Sequence, residues 1–75
     1  MRVELRSLLS RVFSVPADSF DGNVSPDTLS AWDSLGHLQL VSAIEGHFKL
    51  RFNLREIQTM DSAEKIEAIL AARGV

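Results

Sequence analysis

Residues 32–48 read WDSLGHLQLVSAIEGHF and contain both a helix start and a long apolar helix face. Asp33 and Ser34 are residue types that cap helix N-termini, because their side-chain oxygens accept hydrogen bonds from the unpaired N–H groups of the first turn. A helix is therefore predicted to begin here. At about 100° per residue, one arc of it faces the core, and this arc carries Leu40, Val41, Ile44 and Phe48.

A second face of this predicted helix is not explained by core packing. Its members are Ser34, Leu35, Leu38, Gln39, Ser42 and Glu45. Single exposed leucines are ordinary on protein surfaces, but a pair beside a hydroxyl is less so. We interpret this surface, called the docking face below, as a contact surface for other proteins.

Apolar spacing and caps predict three further helices. The first runs from Val3 to Ser14 and ends before Pro16, since proline lacks an N–H group and disfavours helical geometry in the residue before it. The long loop 16–32 follows, with a turn at residues 21–23 and a single helical turn at residues 26–29. Its expected anchors over the core are Phe20, Val24, Leu29 and Trp32.

The C-terminal third of the chain is predicted to form a short and a longer helix. Residues 49–52 are interpreted as an extended linker, because a lone strand has no partner in a helical chain. Asn53 is expected to cap a short helix, residues 54–59, with Leu54 and Ile57 pointing inward. Asp61 or Ser62 then caps the last helix, with Glu64 completing a pattern like a capping box.

The length of 75 residues and the 45% hydrophobic content allow one domain, residues 1–75, with one small core. The fold class predicted is all-α: a small four-helix bundle, three main helices plus one short helix, with a long first loop. No cysteine is present, which excludes disulfides and thiolate metal sites. No apolar run approaches the roughly 20 residues that cross a bilayer. We therefore expect a monomer in the cytoplasm, not inserted in a membrane.

Charge is distributed unevenly along the chain. All eight basic residues lie outside residues 12–48, and five acids lie within that range: Asp18, Asp21, Asp27, Asp33 and Glu45. Nucleic-acid binding depends on clustered Lys and Arg, so this distribution disfavours it, including the role of a small DNA-binding helical domain. The acidic stretch favours protein partners with basic surfaces.

Asp33, Ser34 and His37 supply the residue types of a catalytic triad. They are nevertheless poorly arranged for one, since all three lie at a single helix start and so small a bundle offers no apparent oxyanion hole. We therefore predict that the chain is not an enzyme. His37 is interpreted as a partly buried side chain bonded to the loop, and neither histidine has companions at metal-ligand spacing.

Asp33-Ser34-Leu35 at the head of a helix, in a chain of this size, resembles the acyl carrier proteins and their peptidyl carrier relatives. The resemblance extends from about Leu5 to Leu70. It implies that Ser34 carries a covalent 4'-phosphopantetheine group, transferred from coenzyme A by a phosphopantetheinyl transferase. It also implies that Asp33 assists this transferase, partly through the magnesium ion of the enzyme.

In that family, partner enzymes meet the carrier through positions that correspond here to Leu35, Leu38, Gln39, Ser42 and Glu45. These partners would load and transfer acyl or aminoacyl groups. Fatty-acid carriers have several acidic residues on this helix, whereas Glu45 is the only one here after Asp33. Trp32 and residues 36–38 are more similar to free-standing carriers of specialised biosynthetic pathways.

Two alternatives remain open from the sequence. The chain could keep the carrier fold but work unmodified, as a helical adaptor or interaction module. Separately, an acyl chain could be sheltered in a cleft among the apolar residues Leu40, Ile44, Phe48, Ile57 and Ile66. Ordinary core packing is the favoured interpretation of that apolar set, because small protein cores fill closely.

Overall fold

The computed structural model describes residues 1–20 and 24–75. These residues contain four α-helices and no strand: α1 (Val3–Phe13), α2 (Ser34–Phe48), α3 (Leu54–Thr59) and α4 (Ala63–Ala72). The predicted all-α bundle with one short helix and a long first loop is confirmed. Asp21 and the turn expected at residues 21–23 lie outside the described residues. None of the helices in the described ranges combines the length and apolarity needed to cross a membrane.

One hydrophobic core joins the three longer helices. It contains Leu5, Leu8, Leu9 and Phe13 from α1, Leu40, Val41 and Ile44 from α2, and Ala63, Ile66 and Leu70 from α4. Phe48, predicted on the same arc as Leu40, is only half-buried, because it lies in the last turn of α2. Phe52 of the linker and Met60, which follows α3, complete the core.

The ends of the helices follow local chemistry that the sequence largely indicated. Ser14, which follows the last residue of α1, adopts the left-handed conformation (φ 57°) and terminates the helix. Lys49 terminates α2 in the same way (φ 55°). Asn53 caps α3 in a full capping box: its side chain accepts from the N–H of Glu56 at 2.8 Å, and the Glu56 carboxylate accepts from the N–H of Asn53 at 3.0 Å.

One sequence prediction about the C-terminal helices is wrong, and another is confirmed in part. Leu54 does not point inward but is 68% exposed, because the six-residue α3 reaches the core only through the half-buried Ile57 and through Met60 behind it. The cap of α4, predicted as Asp61 or Ser62, is Ser62, which accepts from the N–H of Lys65 at 3.1 Å. The capping-box pattern of Asp61 with Glu64 does not form, and Asp61 instead pairs with the Lys65 ammonium at 2.9 Å.

The long loop is tied to the bundle by its apolar anchors and by hydrogen bonds. Phe20, Val24 and Trp32 are buried as predicted, and Leu29 is half-buried. The carbonyl of Val24 accepts from the N–H of Ala63 at 3.0 Å, which joins the loop to the start of α4. The residues before and after Trp32 therefore follow a fixed path.

Gly36 is required where the loop crosses the first turn of α2. A Cβ atom at this position would collide with the carbonyl oxygen of Ala31 and would lie 2.9 Å from the ring of Phe13. Gly46, on the same helix, has open space around the equivalent position. The absence of a side chain at Gly36 therefore lets the loop lie directly on α2.

Arg73 fastens the end of α4 to α3 and the linker. Its Nε donates to the Glu56 carboxylate at 3.0 Å, a second guanidinium nitrogen donates to the carbonyl of Arg51 at 2.7 Å, and the guanidinium lies 5.5 Å from the centre of the Phe52 ring. The hydrogen bond from Arg73, assisted by that from the Asn53 backbone, lowers the pKa of Glu56 below its ordinary value of 4.5. Glu56 is therefore ionised at neutral pH.

The Gly36→Ala variant is expected to lower the free energy of unfolding by about 1–3 kcal/mol, because the added methyl overpacks the contact between loop and helix. Gly46→Ala is the matched control and is expected to raise it by about 0.5–1 kcal/mol, since alanine has less conformational freedom to lose in an exposed helix. Urea unfolding followed by circular dichroism measures both. Equal stability of the two variants would contradict the packing described for Gly36.

The Glu56→Gln variant is expected to be less stable than the wild type at neutral pH and to match it well below pH 4.5. Because the folded state lowers the pKa of Glu56, the stabilisation is present above the unfolded pKa and is lost as the pH falls through the folded pKa. Urea unfolding across this range gives the difference. The difference in unfolding free energy between Arg73→Ala and the wild type should likewise shrink as the pH falls. A difference in unfolding free energy that does not change with pH would rule out the ionic contribution of Glu56.

Candidate functional site

Ser34 is the first residue of α2 and is exposed to solvent. Asp33 before it caps the helix as predicted, because its Oδ1 accepts from the N–H of Gly36 at 2.8 Å. The carbonyl of Asp33 accepts from the N–H of His37, also at 2.8 Å. Within residues 1–20 and 24–75, Ser34 Oγ takes part in no hydrogen bond. The hydroxyl therefore lies at the helix N-terminus with no hydrogen-bond partner among the described residues.

Trp32 and His37 connect this helix start to the rest of the fold. The indole Nε1 of Trp32 donates to Nδ1 of His37 at 3.0 Å, and Nε2 of His37 donates to the carbonyl of Ile57 at 2.8 Å. An indole N–H is only a donor, so Nδ1 must accept and Nε2 must carry the proton. On its other side, Trp32 stacks on Phe13 with ring centroids 5.6 Å apart.

His37 has no nitrogen free to act as a general base for Ser34. Both ring nitrogens are occupied, one by Trp32 and the other by the carbonyl of Ile57. Asp33 is likewise engaged as the helix cap rather than directed at the imidazole. A serine nucleophile requires a base within hydrogen-bond reach that is oriented by a third group, and these residues do not form that arrangement.

A cleft of about 410 Å³ opens beside Ser34. It lies between the long loop, the first turn of α2 and the segment that includes the end of α3. The residues that line it are Pro26, Trp32, Asp33, Ser34, His37, Ile57, Gln58, Met60 and Asp61. Apolar and polar groups therefore lie together beside Ser34 in a groove that is open to solvent.

The cleft does not lie where the sequence suggested a shelter for an acyl chain. Leu40, Ile44 and Ile66 are completely buried in the core. Ile57 is the member of that apolar set that lines the observed cleft. The cleft is thus a surface feature of the loop side of α2 rather than an opening into the core.

Two carboxyl groups line the cleft, those of Asp33 and Asp61. The hydrogen bond from the Lys65 ammonium is the main cause that lowers the pKa of Asp61 below its ordinary value of 3.8. Asp61 is therefore ionised at neutral pH, and the Lys65 ammonium at 2.9 Å balances its charge. Asp33 belongs to the acidic stretch of residues 12–48.

The docking face is largely exposed. Leu35 is 65% and Leu38 is 60% exposed, and Gln39 and Ser42 are also exposed. Glu45 differs, since it is half-buried and its Oε2 accepts from the N–H of Phe52 at 2.9 Å. That carboxylate fixes the linker to α2, so a partner would meet Glu45 with one oxygen already engaged.

The sequence interpretation missed several residues beside Ser34. Gln58, Met60 and Asp61 lie at the end of α3 or just after it, far from Ser34 in the sequence, and no local pattern marks them. His37 was predicted as a partly buried side chain bonded to the loop, and this is confirmed by its half-buried position and its hydrogen bond to Trp32. In the described ranges, no group of three His, Asp or Glu side chains is placed to hold a metal ion.

The Leu38→Glu variant is expected to change the free energy of unfolding by less than about 0.5 kcal/mol, as is usual for surface substitutions. Leu40→Glu, two positions along the same helix, is the control and should unfold the chain, because Leu40 is fully buried. Circular dichroism with urea unfolding distinguishes the two. Loss of structure in Leu38→Glu would show that the faces of α2 are wrongly assigned.

Comparison with protein-family models and with curated proteins returned no match for the chain. The functional proposal therefore rests on the resemblance carried by residues 33–35 and on the side chains around Ser34. The structural features that support it are the exposed hydroxyl, the helix start that holds it, the cleft beside it and the exposed leucines that follow it.

Proposed function

We propose that the chain is a carrier protein, modified at Ser34 with 4'-phosphopantetheine from coenzyme A. The observation that carries the proposal is the position of the Ser34 hydroxyl: it is exposed, free of hydrogen bonds within the described residues, and fixed at the N-terminus of a 15-residue helix. Another enzyme can therefore approach it without rearranging the bundle. When bound, the group supplies a flexible arm ending in a thiol, which holds acyl or aminoacyl intermediates as thioesters.

The helix N-terminus suits a phosphodiester. Backbone N–H groups of the first turn and the helix dipole favour negative charge at this position. In the modification, Ser34 Oγ loses its proton and bonds to the phosphorus that bears the pantetheine arm. The pyrophosphate P–O bond of coenzyme A breaks, and adenosine 3',5'-bisphosphate leaves. The transferase must supply the base for that proton, because both nitrogens of His37 are occupied.

Asp33 is proposed to assist the transferase while it also caps α2. Its Oδ1 accepts a hydrogen bond from the N–H of Gly36. The residue is exposed to solvent beside Ser34. The structural role alone is worth about 0.5–2 kcal/mol for a residue at this helix position. A carboxylate held rigidly next to the reacting hydroxyl is also well placed to meet the magnesium ion of a transferase.

The docking face is proposed to contact the transferase and the enzymes that load or transfer acyl or aminoacyl groups. Leu35 and Leu38 offer apolar contacts in the turns directly after Ser34, and Gln39 and Ser42 offer hydrogen bonds. The acidic stretch of residues 12–48 favours partners with basic surfaces. Glu45 contributes less freely, since one of its oxygens binds the linker.

A tethered arm would let one intermediate visit several active sites at high effective concentration. A carrier of a specialised biosynthetic pathway, rather than of fatty-acid synthesis, agrees with the single acidic residue on α2 after Asp33. The cytoplasmic location and the monomeric state expected from the sequence belong to the same proposal.

Incubation with coenzyme A and a broad-specificity phosphopantetheinyl transferase is expected to add the mass of one phosphopantetheine group to the wild type. Ser34→Ala should gain nothing, because it lacks the hydroxyl that forms the bond. Ser7→Ala, an exposed serine of α1 that lies outside the docking face, is the matched control and should be modified fully. Intact-protein mass spectrometry measures all three.

A wild type that keeps its mass under conditions that modify a known carrier would contradict the proposal. It would favour the alternative of an unmodified adaptor that uses the same exposed face. Modification of Ser34→Ala would show that the group is attached elsewhere.

A further inference from the structure

His37 hydrogen-bonds to two separate parts of the chain. Through Nδ1 it holds Trp32 of the long loop, and through Nε2 it holds the carbonyl of Ile57 in α3. These two parts form opposite sides of the cleft beside Ser34. One imidazole therefore sets the spacing between the loop and α3 at that hydroxyl.

The hydrogen bond to Trp32 encloses Ser34 within a short closed segment. Trp32 and His37 lie on either side of Ser34 in the chain, so their side-chain bond closes residues 32–37 into a loop. Asp33 and Gly36 make a second, smaller closure inside it at 2.8 Å. Phe13 stacks on Trp32 and fixes its indole against α1. The backbone around Ser34 is thus constrained from both directions.

We infer that His37 is a positioning residue for the modification of Ser34, acting through Trp32. This inference depends on the proposed function. The hydrogen bond to the indole holds the loop against the helix start, so that the transferase meets the hydroxyl in one orientation. The hydrogen bond to Ile57 fastens α3 and shapes the cleft, but it lies on the far side of the imidazole from the loop that leads to Ser34.

Two amide variants separate these hydrogen bonds. The side-chain oxygen of His37→Asn can occupy the position of Nδ1 and accept from Trp32, but it cannot reach Ile57. The side-chain nitrogen of His37→Gln can occupy the position of Nε2 and donate to Ile57, but it leaves the indole N–H without its acceptor. His37→Ala removes both hydrogen bonds. The three variants therefore separate the effect of the hydrogen bond to Trp32 from the effect of the hydrogen bond to Ile57 in α3.

The rate of modification is measured at saturating coenzyme A over a range of carrier concentrations. For His37→Ala and His37→Gln we expect kcat to fall about tenfold or more with KM for the carrier changed less than about threefold, because misplacement of a reacting group slows chemistry more than it weakens docking. His37→Asn is expected to stay within about threefold of the wild-type kcat, since it keeps the indole acceptor.

Arg73→Ala is the control for a general loss of stability. It loosens α3 by removing the hydrogen bonds to Glu56 and Arg51, and it leaves Trp32 and His37 unchanged. We expect it to be modified at the wild-type rate. Urea unfolding of each variant confirms that it is folded under the assay conditions, and if His37→Ala is not, the pair His37→Asn and His37→Gln decides the question.

The possible outcomes have distinct meanings. A kcat close to wild type for His37→Asn, together with a lowered kcat for His37→Gln, supports positioning through Trp32. Equal rates for these two variants, fast or slow, overturn it, as does an equally slow Arg73→Ala. A wild type that gains no mass overturns the proposed function and this inference with it, whereas a modified wild type with a fast His37→Gln overturns this inference alone.

Discussion

The arrangement of this molecule depends on the contacts made by the buried side chain of Trp32. The indole stacks on Phe13 of α1 and donates its N–H to His37 of α2, so one side chain fixes the end of a long loop to two helices. Large aromatic side chains contribute much of the stabilisation in small cores, and an aromatic pair adds about 0.5–1.5 kcal/mol beyond the area it buries. Together with Phe20 and Val24, Trp32 holds the loop against the bundle beside the start of α2, where Ser34 lies.

Fixing the loop in this way determines what surrounds the hydroxyl. Gly36 allows the Ala31 carbonyl to lie on the first turn of α2, and Asp33 completes the turn as its cap. The same contacts leave a cleft on one side of Ser34 and two exposed leucines on the other. An accessible hydroxyl on a helix start, beside a cleft and followed by exposed leucines, suits the proposed role of a residue that other enzymes modify.

Much of this arrangement follows from local patterns in the sequence. Apolar spacing predicted the three longer helices, and the capping roles of Asp33 and Asn53 were predicted because side-chain capping depends only on nearby backbone. The anchors Phe20, Val24 and Trp32 were also predicted. Local chemistry was less informative where two candidates competed, as at the start of α4, where Ser62 rather than Asp61 is the cap.

Features that depend on packing between distant segments could not be predicted in the same way. The exposure of Leu54 follows from how a six-residue helix docks, which its apolar spacing does not encode. The contact of His37 with the Ile57 carbonyl joins residues 20 positions apart, and the need for glycine at position 36 appears only when the loop lies across the helix. The position of Ser34 was predictable; its cleft was not.

The most direct test of the carrier assignment is peptide-mapping mass spectrometry on the chain purified from the cells that naturally make it. We predict that the peptide containing Ser34 carries phosphopantetheine, free or with a bound acyl or aminoacyl group, and that fragmentation places the group on the Ser34 oxygen. A chain isolated entirely unmodified, from cells in which it is functioning, would contradict this account.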